Sequence, residues 1–291
     1  MHSFYHSEGT PTGPSGAPIS DVMERVASHP TTAGPWGPDS QHGGPPAALL
    51  ARAVEGLPDA DRRCIGRFTM ELLGPVPVGP LEVGARVVRP GRSVDLCEAR
   101  LRDVTHQRDV ARASVWRFPM AADGAADRVA DGVADGAADG AATGPARRGT
   151  PLPHTPDDGV PHPRPESWSG GYLDVVDWRW IEGSVTTPGP AVVWMRPTVA
   201  LVDSEPVSPV QRLLACADSA SGVSAELDPA VWGFLNTELT VHLLRPPEGE
   251  WLCLRARTTL SEGHVGLAVA DVYDRGGLVA RTAQALLVAR R

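Results

Sequence analysis

Asp218 is the residue that most needs a chemical reason. It interrupts LLACADSASG, residues 213 to 222, in which Leu213, Leu214 and Ala217 recur at helical spacing behind the Pro-containing start Glu205-Pro206-Val207-Ser208-Pro209. A carboxylate on an apolar helix is desolvated, which favours its proton-accepting form of chemistry: general-base activation of a water. A second segment with chemical potential is Gln41-His42-Gly43-Gly44, directly before the apolar run PPAALLARA. Its glycines either let a substrate carbonyl approach helix-terminal N–H donors or serve tight helix packing, and His42 is either a base beside the helix start or a loop residue.

Other reaction classes lack their residues. No G-x-S-x-G is present, since GRSVD (91 to 95) fails at its last position, so a serine-nucleophile elbow is not expected. His154 and His162 lie in a Pro-rich stretch and no H-E-x-x-H or close Cys pair occurs, so no metal is expected, and no phosphate-cradling glycine motif calls for a nucleotide cofactor. The net charge of -8, without a basic run interleaved with aromatics, speaks against a nucleic-acid partner. Cys64, Cys97, Cys216 and Cys253 are far apart among apolar neighbours and read as free thiols. The start MHSFYHSEGT has no basic and apolar leader, and no apolar stretch reaches membrane-spanning length, so a cytoplasmic protein away from membranes is expected.

The elements that must position these residues come in two sets. FTMELLGPVPVG (68 to 79), LEVGARVVRPGRSVDLCEARLRD (81 to 103) and VARASVWRF (110 to 118) are followed later by LTVHLLRPPEG (239 to 249), LCLRARTTLSEGHVGLAVADVYD (252 to 274) and VARTAQALLV (279 to 288). They align at one offset, Phe68 with Leu239, Arg86 with Arg257 and Asp103 with Asp274, which marks an internal duplication. Each copy reads as an apolar helix (45 to 56; 206 to 222) followed by an antiparallel meander, an α+β arrangement in which the helix is buried against its sheet. Between the copies, residues 122 to 144 repeat Ala, Asp and Gly, with Asp123, Asp127, Asp131, Asp135 and Asp139 four apart. Like charges at that spacing repel on a helix already weakened by Gly, so a solvated linker is expected. The expected organisation is a flexible tail over 1–20, a first repeat over 21–120, a low-complexity and Pro-rich linker over 121–165 and a second repeat over 166–291.

This order of elements resembles the double hot-dog acyl-CoA thioesterases, through QHGGPPAALLARA (41 to 53), LLACAD (213 to 218), ELTVHLLRP (238 to 246) and VARTAQ (279 to 284) in register. The resemblance implies an enzyme that splits an acyl-CoA or acyl-carrier thioester by direct water attack, without a cofactor, and a homodimer is expected. It implies Asp218 and Gln284 as two members of a water-holding triad, and a hydroxyl residue at 236 or 237, where this chain has Asn236 and then Thr237. Gly43, Gly44 and His42 are the implied substrate-binding residues. Asn236 departs from the family pattern, which keeps open a non-catalytic thioester-binding protein; a hydratase of the same fold is a further alternative. The duplication is an internal control: Gln284 aligns with Val115, Asn236 with Ile65, and Asp218 with Arg52 or Val54. Residues kept for folding alone would be kept in both copies, so a single site in the second copy is expected.

Overall fold

The computed structural model describes residues 3–9, 23–120, 150–164, 168, 170–261 and 265–290. In chain order the strands and helices are β1 (Ser3–Gly9), β2 (Glu24–Ser28), β3 (Ala33–Gly34), β4 (Gly37–Gln41), α1 (Gly44–Glu55), β5 (Arg63–Leu72), β6 (Pro80–Arg89), β7 (Asp95–Asp103) and β8 (Arg108–Pro119). After them come β9 (Val176–Ser184), β10 (Thr187–Pro197), β11 (Ala200–Val202), α2 (Pro209–Ala217), α3 (Ala220–Val223), β12 (Trp232–Asn236), β13 (Glu238–Leu243), β14 (Leu252–Leu260), β15 (Val265–Asp274) and β16 (Gly277–Arg290). All but β3 and β4 join one sheet in the order β11-β1-β2-β6-β7-β8-β5-β13-β16-β15-β14-β10-β9, with β12 also on β16. Buried and less buried positions alternate along β7 and β15, as in a sheet with one covered face. α1 packs on β6, β7 and β8, α2 on β10 and β14, and the two helices pack on each other.

The duplication is written into the hydrogen-bond register. β5 and β13 pair antiparallel at the junction of the halves, and Thr69 faces Thr240, its own equivalent, with the two hydroxyls 3.2 Å apart. Such self-pairing requires a local twofold axis between them, the relation found in isologous interfaces. Further pairs repeat: Cys97 faces Val115 as Ala268 faces Gln284. The register also slips by one residue at Gly66 in the first copy and at Thr237 in the second, so each copy carries a β-bulge at the same place.

Three expectations need correction. Residues 3–9 are not a flexible tail: β1 pairs antiparallel with β2 and parallel with β11, and Phe4 and Tyr5 are buried. The rest of that stretch, 10–20, lies outside the described residues, as does the Ala-Asp-Gly repeat over 122–144. The Pro-rich part of the expected linker, 150–164, packs against the second half. Val160 exchanges backbone hydrogen bonds with Trp180 at 3.0 and 2.9 Å, Leu152 packs on Val192, Trp194 and Cys253, and Trp194 Nε1 donates to His154 Nδ1. Proline cannot sustain a ladder, so this strap meets the edge strand β9 at a single bridge. Finally, the helix expected over 206–222 is two helices: α2 stops at Ala217, Asp218 is its C-cap, and α3 restarts at Ala220. Among the described residues no helix is long and apolar enough to cross a membrane.

Candidate active site

α1 and α2 run antiparallel across the local twofold, so the start of α1 meets the end of α2. Ser208 caps α2 by accepting from Gln211 N–H, while the Gln211 side chain accepts from Ser208 N–H, which sets where that helix begins. The helices approach closely because residue 44 has no side chain: a Cβ there would lie 2.1 Å from Ala215 O. Gly43 is pressed on Asp218 in the same way, with an added Cβ 2.7 Å from Oδ2. The glycine pair therefore serves tight helix packing, and that packing brings the start of α1 against the carboxylate.

Asp218 is 6% exposed. At a helix C-cap its charge faces the negative end of α2, and the positive end of α1 beside it offsets that repulsion. Asn236 Nδ2 donates to Oδ1 at 2.7 Å and Gln284 Nε2 donates to the same oxygen at 3.0 Å. Gln284, fully buried, also donates to Asp218 O and accepts from Ser221 N–H. Both ends of its amide are thus committed to fixing Asp218 and α3. Asn236 reaches the carboxylate because the bulge at Thr237 turns the strand there. Thr237 lines the same cavity, but its hydroxyl donates to Ala285 O. Of the two residues left open at the hydroxyl position, Asn236 is the one beside the carboxylate.

His42 completes the group. Its Nδ1 accepts from Gly44 N–H at 3.1 Å and lies 3.4 Å from Asp218 Oδ2. The ring is stacked on Tyr172, with centroids 3.9 Å apart and planes 8° from parallel. Tyr172 is locked in turn by a 2.8 Å hydrogen bond to Ala215 O and a 3.1 Å contact with Ser219 Oγ. Burial lowers the His42 pKa and the Asp218 charge only partly counters it, which favours the uncharged ring. The loop before it is held by Tyr5, whose hydroxyl donates to Gln41 Oε1 at 2.6 Å, and by Gln41 Nε2 donating to Pro77 O. Tyr172 and Tyr5 carried no local sequence signal, because each acts across a long chain separation.

The free N–H groups expected at the start of α1 are largely taken. Gly44 N–H goes to His42, Pro45 and Pro46 have none, and Ala47 N–H goes to Gly43 O. Gly43 N–H is the donor left there without an acceptor among the described residues.

Asp218, Asn236, His42 and Gly43 line one end of a cavity of about 570 Å³. Trp168, Trp178 and Trp180 line its apolar remainder with Trp36 and Phe234. Trp36 meets Phe234 edge-on at 5.1 Å, and Trp178 stacks on Trp180. Trp194 belongs instead to a small separate cluster with Val192 and Cys253. The twofold-related junction, where the end of α1 meets the start of α2, also holds a carboxylate. Glu55 accepts from Ser208 Oγ at 2.8 Å and from Gln211 Nε2 at 2.7 Å, which closes it off.

Family models for the acyl-CoA thioesterase N-terminal domain and C-terminal domain match residues 32–118 and 156–288. Among solved structures the chain is similar to a hot dog fold protein of unknown function from Alicyclobacillus acidocaldarius, with 18% identity over 92% of this chain and 93% of that one and a TM-score of 0.64. It is also similar to the tesB protein of Mycobacterium avium subs paratuberculosis, with 17% identity, 92% of each chain and a TM-score of 0.60. Acyl-CoA thioesterase II TesB2 from Mycobacterium marinum shares 15% identity over 94% of this chain and 95% of that one, with a TM-score of 0.61. Identities this low carry the hot-dog fold alone. No curated protein matches the chain. The two domain matches follow one another along the chain and between them cover both repeats, and on that ground the chain belongs to the acyl-CoA thioesterase family.

Proposed function

We propose that the protein hydrolyses an acyl-CoA or acyl-carrier thioester by direct attack of a water, with Asp218 as general base. The observation that carries this reading is the asymmetry of the Asp218 carboxylate. Oδ1 is occupied by the Asn236 and Gln284 amides, whereas Oδ2 is left to take a proton at the end of a cavity with apolar walls. A water on Oδ2 would attack the thioester carbon as its proton passes to the carboxylate. Gly43 N–H is the donor at hand for the oxyanion that forms. When the tetrahedral intermediate collapses, the C–S bond breaks and the thiolate takes the proton back from Asp218, giving a free acid and a free thiol. The base is then ready for another water.

In this scheme Asn236 and Gln284 orient the carboxylate instead of holding the water as expected from the sequence, Asn236 from the cavity side and Gln284 from behind. The aromatic walls would take the acyl chain by apolar burial. Thiol release from a panel of acyl-CoA esters tests the reading. The wild type is expected to turn over at least one of them, and Asp218→Asn to lower turnover about 10²-fold or more with folding retained. Tight binding with no thiol release by the wild type would favour the non-catalytic binder, and consumption of an enoyl-CoA without thiol release would favour a hydratase.

A further inference from the structure

The thioester mechanism leaves one buried ring without a task. His42 lines the cavity, yet Asp218 needs no proton relay through it, and a loop histidine would not require both an aromatic plate and a backbone N–H to hold it. Its orientation is determined on two sides. Gly44 N–H donates to Nδ1, which must therefore present a lone pair, and a neutral ring with that lone pair carries its proton on Nε2. The side chain is 12% exposed and lines the cavity, and with Nδ1 turned toward Gly44 and Asp218 the other ring nitrogen, Nε2, is the one left for a ligand. Tyr172 fixes the plane of the ring.

We propose that His42, neutral and protonated at Nε2, is a catalytic hydrogen-bond donor to the thioester oxygen, sharing that oxygen with Gly43 N–H. This rests on the thioesterase reading of the same cavity. Two further observations agree with it. The start of α1 offers few backbone donors, because Pro45 and Pro46 have none and Gly44 N–H is spent on the ring, so an oxyanion there needs a side-chain donor. Asp218 and Tyr172 are the titratable groups against the ring. Tyr172 stays a neutral phenol because burial raises its pKa, and burial of His42 itself outweighs the pull of the Asp218 charge. A neutral imidazole N–H polarises a carbonyl without having to give up its proton.

The test combines spectroscopy and kinetics on the full chain. In the wild type, nitrogen and carbon NMR of the histidine rings, with His42 assigned by through-bond correlation to its own backbone, should show the Nε2–H tautomer between pH 6 and 8. The Nδ1–H tautomer, or an imidazolium over that range, would overturn the proposal whether or not any variant folds. His42→Ala should lower kcat about 10²-fold, with KM little changed, as for loss of one oxyanion donor. The factor should be the same for an acyl-CoA and for an acyl ester of a more acidic aryl thiol, and His42→Gln should recover part of it. A loss confined to the CoA ester would make His42 a proton donor to the departing sulfur, and an unchanged kcat would give it no role; either result defeats the proposal. Asp218→Asn in the same assay separates the two levels: if it is inactive while His42→Ala is not, the thioesterase reading stands and this inference falls. If the wild type releases no thiol, both fall together.

Discussion

Replacing Gly43 by alanine should separate activity from folding, because the three atoms nearest the added methyl group all belong to the Asp218 carboxylate. The new Cβ would stand 2.7 Å from Oδ2 and 2.8 Å from Oδ1 and Cγ. Ordinary contact would require the carboxylate to retreat by about 0.7 Å. It cannot do so and keep the 2.7 Å bond from Asn236 and the 3.0 Å bond from Gln284. Misplacing a catalytic group by an ångström costs about 10²-fold, or ~2.7 kcal/mol of barrier. The backbone at Gly43 is helical, with φ −68° and ψ −16°, so alanine fits its conformation and gains ~0.4–1 kcal/mol by restricting the unfolded chain. Set against ~1–3 kcal/mol of crowding, the melting temperature should fall by a few degrees at most. Gly44→Ala is the control, because its Cβ would stand 2.1 Å from a backbone carbonyl, Ala215 O, that cannot rotate away. That variant should lose stability first, by ~3 kcal/mol or more. Thermal melts and thiol-release kinetics on the two proteins decide the matter. A Gly43→Ala protein with wild-type kcat/KM, or one as unstable as Gly44→Ala, would refute the placement of Asp218 against the start of α1.

Other expectations follow from neighbouring groups. Asn236→Ala should slow turnover about 10- to 10²-fold by removing a charge-assisted hydrogen bond, whereas Thr237→Val should leave it within a few-fold of wild type; the reverse ranking in the same kinetic assay would mean that the hydroxyl is the working group. Glu55 is half-buried with no cation against it among the described residues, and burial raises its carboxyl pKa, with the Ser208 and Gln211 hydrogen bonds opposing. Its contribution to stability is complete below the ordinary carboxylate pKa and is lost as pH rises through the raised value. The urea midpoint of Glu55→Gln should therefore gain on the wild type between pH 4 and 8, and a constant gap would show that Glu55 does not titrate abnormally. Burial pushes the Cys97 thiol up to about 11 and the Cys216 thiol up to about 12, and raises that of Cys253 as well. A disulfide reagent should therefore label no more than Cys64 on the minute scale until denaturant is added, and rapid labelling of two or more thiols in the native protein would contradict that packing.

Much of this protein was legible in its sequence because a duplicated chain carries its own alignment. The constant offset between the copies made Thr69 and Thr240 equivalent positions, which the structure pairs, and the helical spacing around Leu213 and Leu214 marked Asp218 as a carboxylate in an apolar setting. The loss of Asn and Gln from the first copy led to the expectation of a single site in the second, and their counterparts Ile65 and Val115 are buried apolar residues. Local pattern could not reach features made by long-range contact. The slip at Thr237 exists only as a difference between two stretches of pairing with β16, so the choice between Asn236 and Thr237 had to wait for the strand register. β1 lacks a clear period, and its place follows from strand edges supplied by β2 and β11. The setting of His42 is decided by Tyr172, 130 positions away, and by a carboxylate that approaches only because two helix ends meet over glycine. Periodicity and repeats record what each segment buries, whereas a site made by opposing helix ends depends on distances that no single segment contains.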